Sequence, residues 1–299
     1  MNLKTFLFSV VPIVFSMALY VGIVLLALKW TKKGRHPIGK DLKLLRQPGE
    51  GLRERIEAID EKLFEEIVKG LLVPFLVFII PLLTLRYPAV AAHFWVVFTL
   101  ACVVYLVSIG YRSYRAYRLI RERKDYRLGL AGERAVADAL EELKARSYHV
   151  FHDVPAQGAQ NAFNLDHIVV GPTGVFAIET KARRKYAAKD GGDDHKVGFD
   201  GEALNWPNGR DPAPVKQARW NAKWLESLIH QRLGRSVAVT PLLAIPGWYT
   251  DETPHGGLRV LSQRRLAHHI QRSAPLDPET VNLIARQLDS VCRNIPCEG

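Results

Sequence analysis

Sulfur is scarce in this chain, with 3 cysteines and 2 methionines among 299 residues. Cys102 lies inside an apolar run, and Cys292 and Cys297 stand near the end of the sequence. Such a set builds neither a disulfide framework nor a complete thiolate zinc site. Charge is absent from two long stretches, 6–28 and 89–110. Each has about 20 residues, enough at about 1.5 Å per residue to cross about 30 Å of hydrocarbon. A chain that is soluble throughout is therefore excluded, although the mean hydropathy is only −0.03. No small-x-small cleavage site precedes Lys29, so the first run is expected to be a retained anchor rather than a signal peptide. Apart from His93 no polar or ionisable cluster interrupts the runs, which argues for an anchor and against a transport pathway. There is no glycine-rich phosphate loop and no nucleophile elbow, and with them go the ATPase and serine-hydrolase classes.

Basic residues, by contrast, are abundant. Lys and Arg number 41 against 30 Asp and Glu, a formal charge of +11. That balance suits anionic partners, either lipid headgroups or nucleic acid. The segment 112–127 holds Arg112, Arg115, Arg118, Arg121, Arg123, Lys124 and Arg127 against Glu122 and Asp125. Because it follows an apolar run directly, topology accounts for it without nucleic acid.

A third apolar stretch, 71–85, is shorter and holds Pro74 and Pro81. With 89–110 it reads as a transmembrane hairpin, a re-entrant segment being the alternative. The expectation is thus about three spans (6–28, 71–85 and 89–110) within a transmembrane region 1–110. The positive-inside rule puts the N-terminus outside and loop 29–70 in the cytoplasm. It puts the rest of the chain there too, on an inner (plasma) membrane. Leu52, Ile56, Ile59, Leu63, Phe64 and Ile67 recur at helical spacing within the loop, for a membrane surface or a partner helix. A basic juxtamembrane linker, 111–127, would lead to a folded domain over 128–250 and a C-terminal helical extension over 251–299.

In that domain a helix is expected over 135–143, followed by strands over 148–154, 165–170 and 175–181. Gly171-Pro172-Thr173-Gly174 turns the last two into a hairpin, and Asp200-Gly201 turns a smaller one. A helix over 215–233, a buried strand over 237–245, a short strand over 258–261 and helices over 263–272 and 278–292 complete a mixed α/β domain.

The hairpin carries the chemistry. With the turn centred on Pro172-Thr173, facing residue numbers sum to 345, so Asp166 stands across from Glu179. Facing side chains share a face, with Cβ atoms about 4.5–5.5 Å apart, and Lys181 joins them two residues on. Paired carboxylates repel unless a divalent cation lies between them, and hard oxygen donors favour Mg²⁺ or Mn²⁺ over zinc. The alternative is structural: Asp166 and Lys181 cap the strand ends, and Glu179 pairs with a lysine. His167, on the opposite face, reads as a core histidine. Asp193, Asp194 and His195 read as a solvated loop. Trp206, Trp220 and Trp224 could stack bases, with Trp220 and Trp224 read as helix core, and His268 and His269 have no recognisable partner spacing.

Four segments in order resemble the NERD (nuclease-related domain) family of the PD-(D/E)xK nuclease superfamily. They are Gly129-Leu130-Ala131-Gly132-Glu133, Asn164 to Gly174, Val175 to Lys181, and Asp211 to Ala218. The resemblance covers about 128–246. It implies a restriction-endonuclease-like mixed sheet flanked by helices, with Asp166 and Glu179 as metal ligands for Mg²⁺ or Mn²⁺ and Lys181 as the catalytic lysine. Glu133 would be a further acidic residue of the site and Gln217 a substrate- or ligand-facing amide. Leu165 stands where the superfamily has a proline, which is a shape feature rather than a ligand. The implied activity is metal-dependent hydrolysis of phosphodiester bonds in DNA, with RNA the other candidate substrate, by a membrane-anchored nuclease. The competing reading is a non-cleaving, membrane-tethered nucleic-acid-binding or scaffold module on the same fold.

Overall fold

A computed structural model describes residues 22, 43–84, 93–157, 162–185, 194–250, 255–272 and 275–296. Two units divide the chain, one of Met1–Leu42, Glu61–Ile120 and Pro296–Gly299, the other of Lys43–Asp60 and Arg121–Ile295. Two long helices run through the division, α1 (Glu50–Thr84) and α2 (Phe94–Lys144).

The described part of the first unit is helical. Glu66 of α1 is buried and pairs with two arginines of α2, accepting from Arg112 at 3.1 Å and lying 3.4 Å from Arg115. Trp95, Val96, Leu100, Val103, Val104, Leu106 and Val107 all face outward from α2. Among the described residues α2 is the one helix long and apolar enough to cross a membrane, with a mean hydropathy of 2.1 over its apolar window. Among the described residues the expectation of about three spans is therefore corrected to one. Residues 71–84 are the tail of α1, which runs on through Pro74 and Pro81. Fourteen residues of helix reach only about 21 Å, short of the hydrocarbon thickness. Segment 6–28, apart from Gly22, and residues 85–92 lie outside the described residues. The basic stretch 111–127 is helical throughout, an uninterrupted part of α2.

The second unit is built on a five-stranded sheet. Its strands are β2 (His149–Gln157), β3 (Ala162–Gly171), β4 (Gly174–Thr180), β8 (Val239–Ala244) and β10 (Arg259–Leu261), in spatial order β10-β8-β4-β3-β2. β2, β3 and β4 form an antiparallel meander, while β8 runs parallel to β4 and β10 parallel to β8. The connection from β4 to β8 carries β5 (Lys196–Phe199), β6 (Leu204–Trp206) and β7 (Gly209–Asp211), which form a smaller sheet with β9 (Tyr249–Thr250), the strand after β8. The same connection carries helix α3 (Ala213–Leu233). Beyond β10 come a 3₁₀ turn over Gln263–Arg265, α4 (Leu266–Ile270) and α5 (Pro278–Cys292). A two-stranded ribbon pairs β1 (Lys43–Leu45) with β11 (Arg293–Pro296). Residues beyond 250 thus supply an edge strand and a packing helix to the same unit.

Alternation along the strands sorts the core into two layers. Ile168, Val170, Val175 and Ala177 pack with Ala222, Leu225 and Ile229 of α3 and with Ile284 and Leu288 of α5. Val169, Phe176 and Ile178 pack with Val136, Leu140 and Leu143 of α2 and with Leu266 and Ile270 of α4. Helix ends follow ordinary capping rules. Asp277 accepts from the N–H groups of Glu279 and Thr280 at the start of α5, with Pro278 in the first turn. Gly234, at φ 65°, closes α3 in the left-handed conformation.

Candidate active site

The β3–β4 turn sets the position of everything else. Gly171 pairs with Gly174, Val170 with Val175 and His167 with Ile178, so the sums are 345 throughout. A Cβ on Gly171 would collide with the Tyr148 ring. The Tyr148 hydroxyl lies 2.9 Å from Thr173 Oγ1, which in turn donates to the Ile270 carbonyl at 2.6 Å. With the turn pinned this way a one-residue slip, which would send the carboxylates to opposite faces, is disfavoured.

Past the His167–Ile178 pair the ladder opens. Asp166 Oδ2 accepts from the Thr180 backbone N–H at 2.7 Å, and Glu179 is buried at 6% exposure. Asp166, Glu179 and Lys181 line a cleft of about 660 Å³ together with Glu133, Gln217, Asp153, Asn164 and Phe163. The five residues singled out from the sequence, Glu133, Asp166, Glu179, Lys181 and Gln217, therefore line one cleft. Glu133 arrives from α2, where Gly132 lies so close to the chain after β4 that a Cβ there would stand 2.7 Å from Ala182 Cβ. Gln217 arrives from the first turns of α3, which Pro212 and Pro214 open.

The electrostatics of this cleft are unfavourable as it stands. Burial pushes the Glu133 carboxyl up to about 9, and the nearby Asp166 and Asp153 charges push in the same direction. Burial likewise raises Asp166 to about 7, against the Thr180 N–H that favours its charge. Asp166 is only half-buried by surface area, yet it sits among enough protein atoms for desolvation to dominate. Glu179 is raised well above the ordinary range, first by burial and then by Asp166 and Glu133. Glu133 Oε2 is buried without a hydrogen-bond partner. Carboxylates crowded in this way gain from a cation placed among them. Among the described residues no group of three or more His, Cys, Asp and Glu side chains closes into a metal cage. Two carboxylates are nonetheless what Mg²⁺ typically takes from a protein, the remaining positions going to water and substrate oxygens.

Two features escaped the sequence reading. Asn221 is buried and donates from Nδ2 to Glu179 Oε2 at 2.8 Å, fixing that carboxylate from α3. It stands four residues after Gln217, so helical spacing alone puts both on one face. The second feature is Asp153, held at φ 48° and buried at 4% exposure. It accepts from Arg46 Nε at 2.7 Å, from the Gly51 N–H at 3.0 Å and from Asn164 Nδ2 at 2.9 Å. Through this lock Gly51, Leu52 and Arg55 become a wall of the cleft, and the Gly49 N–H bonds to Glu133. The amphipathic helix seen in the sequence thus buries Ile56 and Ile59 within this unit.

The remaining candidates separate cleanly. His167 is fully buried and lies Nδ1 to Nδ1 2.8 Å from His152, a core pair as expected. Trp224 packs partly buried against the core, but Trp220 is 47% exposed, which corrects its assignment to the core. Its ring meets Phe163, a lining residue of the cleft. Asp193 lies outside the described residues, and Asp194 and His195 are exposed or half-exposed with an Oδ1–Nδ1 separation of 3.5 Å.

An uncharacterized protein of Bacillus anthracis is 43% identical over 54 residues, which are 18% of this chain and 26% of that protein. The chain thus spans about a quarter of that relative's length. No solved structure matches. Residues 128–246 match the family described as NERD, Nuclease-related domain, and that segment includes Glu133, Asp166, Glu179, Lys181 and Gln217 of the cleft.

Proposed function

We propose that this protein is a membrane-anchored, metal-dependent nuclease that hydrolyses phosphodiester bonds, with DNA as its first substrate. The observation that carries the reading is the convergence of Glu133, Asp166 and Glu179, mutually repelling, with Lys181 and Gln217 in one cleft. Asp166 and Glu179 would hold Mg²⁺ or Mn²⁺, which when bound would supply a Lewis acid for a phosphoryl oxygen and a water of lowered pKa. Lys181 Nζ orients the attacking water in line with the leaving oxygen and offsets the charge that develops on the phosphorus oxygens. Gln217 hydrogen-bonds a non-bridging oxygen. Glu133 is a further acidic side chain of the cleft, its carboxyl raised to about 9 by burial and by the neighbouring Asp166 and Asp153. Arg55, Arg183 and Arg184 on the cleft wall suit a polyanion.

Anchoring is supported by the outward-facing apolar stretch of α2. Tyr111, Tyr114 and Tyr117 follow it, exposed, in the position of an interfacial aromatic belt. The arginines after them put the nuclease-related domain in the cytoplasm by the positive-inside rule.

The test uses the full chain in mild detergent, since Arg46 to Arg55 belong to the cleft. Plasmid and single-stranded DNA are incubated with Mg²⁺ or Mn²⁺ beside Glu179→Ala and Lys181→Ala. Metal-dependent cutting lost in both variants supports the reading. A wild type that neither cuts nor binds metal removes it and leaves a non-cleaving nucleic-acid-binding module. Resistance of the chain to alkaline carbonate extraction tests the anchor separately.

A further inference from the structure

Large aromatic rings left in water are costly, since apolar surface gains by burial. Trp220 is 47% exposed, and it is on α3 between two residues already tied to the site. Gln217, three residues before, lines the cleft, and Asn221, next in the chain, holds Glu179. Phe163, itself a lining residue of the cleft, presents its ring 4.2 Å from the Trp220 ring at a tilt of 57°. Trp224 braces Phe163 from behind, edge to face at 5.6 Å. The three rings therefore make one cluster with the Trp220 indole about half exposed, joined through Phe163 to a cleft also lined by Lys181, Arg55, Arg183 and Arg184.

We propose that Trp220 and Phe163 form a stacking platform for an unpaired base, so that the cleft takes single-stranded nucleic acid, or a frayed end, in preference to intact duplex. This deepens the nuclease reading and rests on it. A base inside a duplex is already stacked on both faces and cannot offer its π-surface, whereas every unpaired base can. Recognition by stacking is also indifferent to sequence, as a degradative cleft requires. The exposed Lys216 and Lys223 on the same helix add charge for the backbone of the strand.

The experiment measures binding of labelled 12-nucleotide single strands and blunt duplexes to the full chain, with Ca²⁺ in place of Mg²⁺ to hold substrate. Trp220→Ala should weaken single-strand binding about tenfold, within the range for one lost stack, and leave duplex binding unchanged. Trp220→Phe should restore most of the loss. An oligonucleotide with abasic sites keeps the charge and lacks the bases, so wild type should bind it as weakly as Trp220→Ala binds the ordinary strand. That comparison needs no variant to fold. Equal wild-type affinity for abasic and ordinary strands overturns the proposal, as does an equal loss on duplex and single strand. Cleavage that survives in Trp220→Ala but not in Lys181→Ala leaves the nuclease reading standing on its own. Base-dependent binding by a wild type that never cuts sinks the nuclease reading and keeps the platform.

Discussion

Asp166 and His167 are consecutive on β3, both are buried to some degree, and each faces a second titratable side chain across the sheet. The resemblance ends there. His167 meets His152, and each ring gives the other an Nδ1 partner, with only His167 Nε2 left unbonded among the described residues. Burial holds both rings neutral, His152 down at about 4 and His167 well below its ordinary value. Asp166 meets Glu179 and Glu133, and at Asp166 and Glu179 burial outweighs the Lys181 charge, so all three carboxyls stay raised. One face of the strand pairs its buried rings, and the other crowds groups of like charge. That crowding is what the proposed metal site rests on.

The contrast can be broken from either side, most severely at the carboxylates. Glu179→Gln should cut metal-dependent cleavage by about 10³-fold or more. The same change should raise the melting temperature of the metal-free protein, because it removes a repelled charge and keeps an acceptor for Asn221. A variant that loses both activity and stability would show Glu179 to be structural. Next comes the Arg46–Asp153 lock, whose loss leaves a buried carboxylate unpaired. Arg46→Ala should destabilise by about 3 kcal/mol in denaturant titration and loosen the wall that touches Glu133.

A subtler test separates the two faces by pH. Between about pH 6.5 and 4 the unfolded chain takes up protons that His152 refuses in the fold, so stability falls as pH falls, by up to about 3 kcal/mol. The carboxylates act in the opposite sense. Glu133 keeps its proton to about 9 and Asp166 to about 7 in the fold, whereas the unfolded chain releases both near pH 4. Two carboxyls outweigh one histidine, so metal-free stability should decline as pH rises from about 4 to 9, gently below about 6.5 and more steeply just above it, where His152 no longer offsets them. Thermal melts should show Mg²⁺ flattening this decline, with proton release on binding seen by calorimetry. The smallest effect belongs to the histidines: His152→Phe should cost about 1–2 kcal/mol and leave the metal affinity of the cleft unchanged.

Local signals made the centre of this site legible. A Gly-Pro-Thr-Gly turn sets a register, and the register brings Asp166 to Glu179 without knowledge of the rest of the fold. Asp277-Pro278 likewise marks the start of α5 to the residue. What stayed hidden depends on contacts distant in sequence. Arg46 and Asp153 are 107 residues apart, with the apolar stretches between them. Asp200-Gly201 marked the β5–β6 hairpin of the small sheet, but β7 and β9, of three and two residues, are too short for period-two alternation to stand out. Apolar residues counted along the chain also do not show where one helix ends and another begins, so 71–85 looked like a span rather than the tail of α1. Trp220 had the spacing of a core residue, and only its neighbour Phe163 reveals otherwise.

The Arg46–Asp153 bond has a consequence for the order in which the protein comes to exist. Translation proceeds at about 5–20 residues per second, so Arg46 waits on the order of 5–20 s for its carboxylate to leave the ribosome. By then both 71–85 and 89–110 have been synthesised, and the segment that will wall the cleft has lain without its partner the whole time. A newly made chain therefore cannot hold a complete cutting site until its apolar stretches have already emerged, which ties the onset of any nuclease activity to a late stage of the protein's own synthesis.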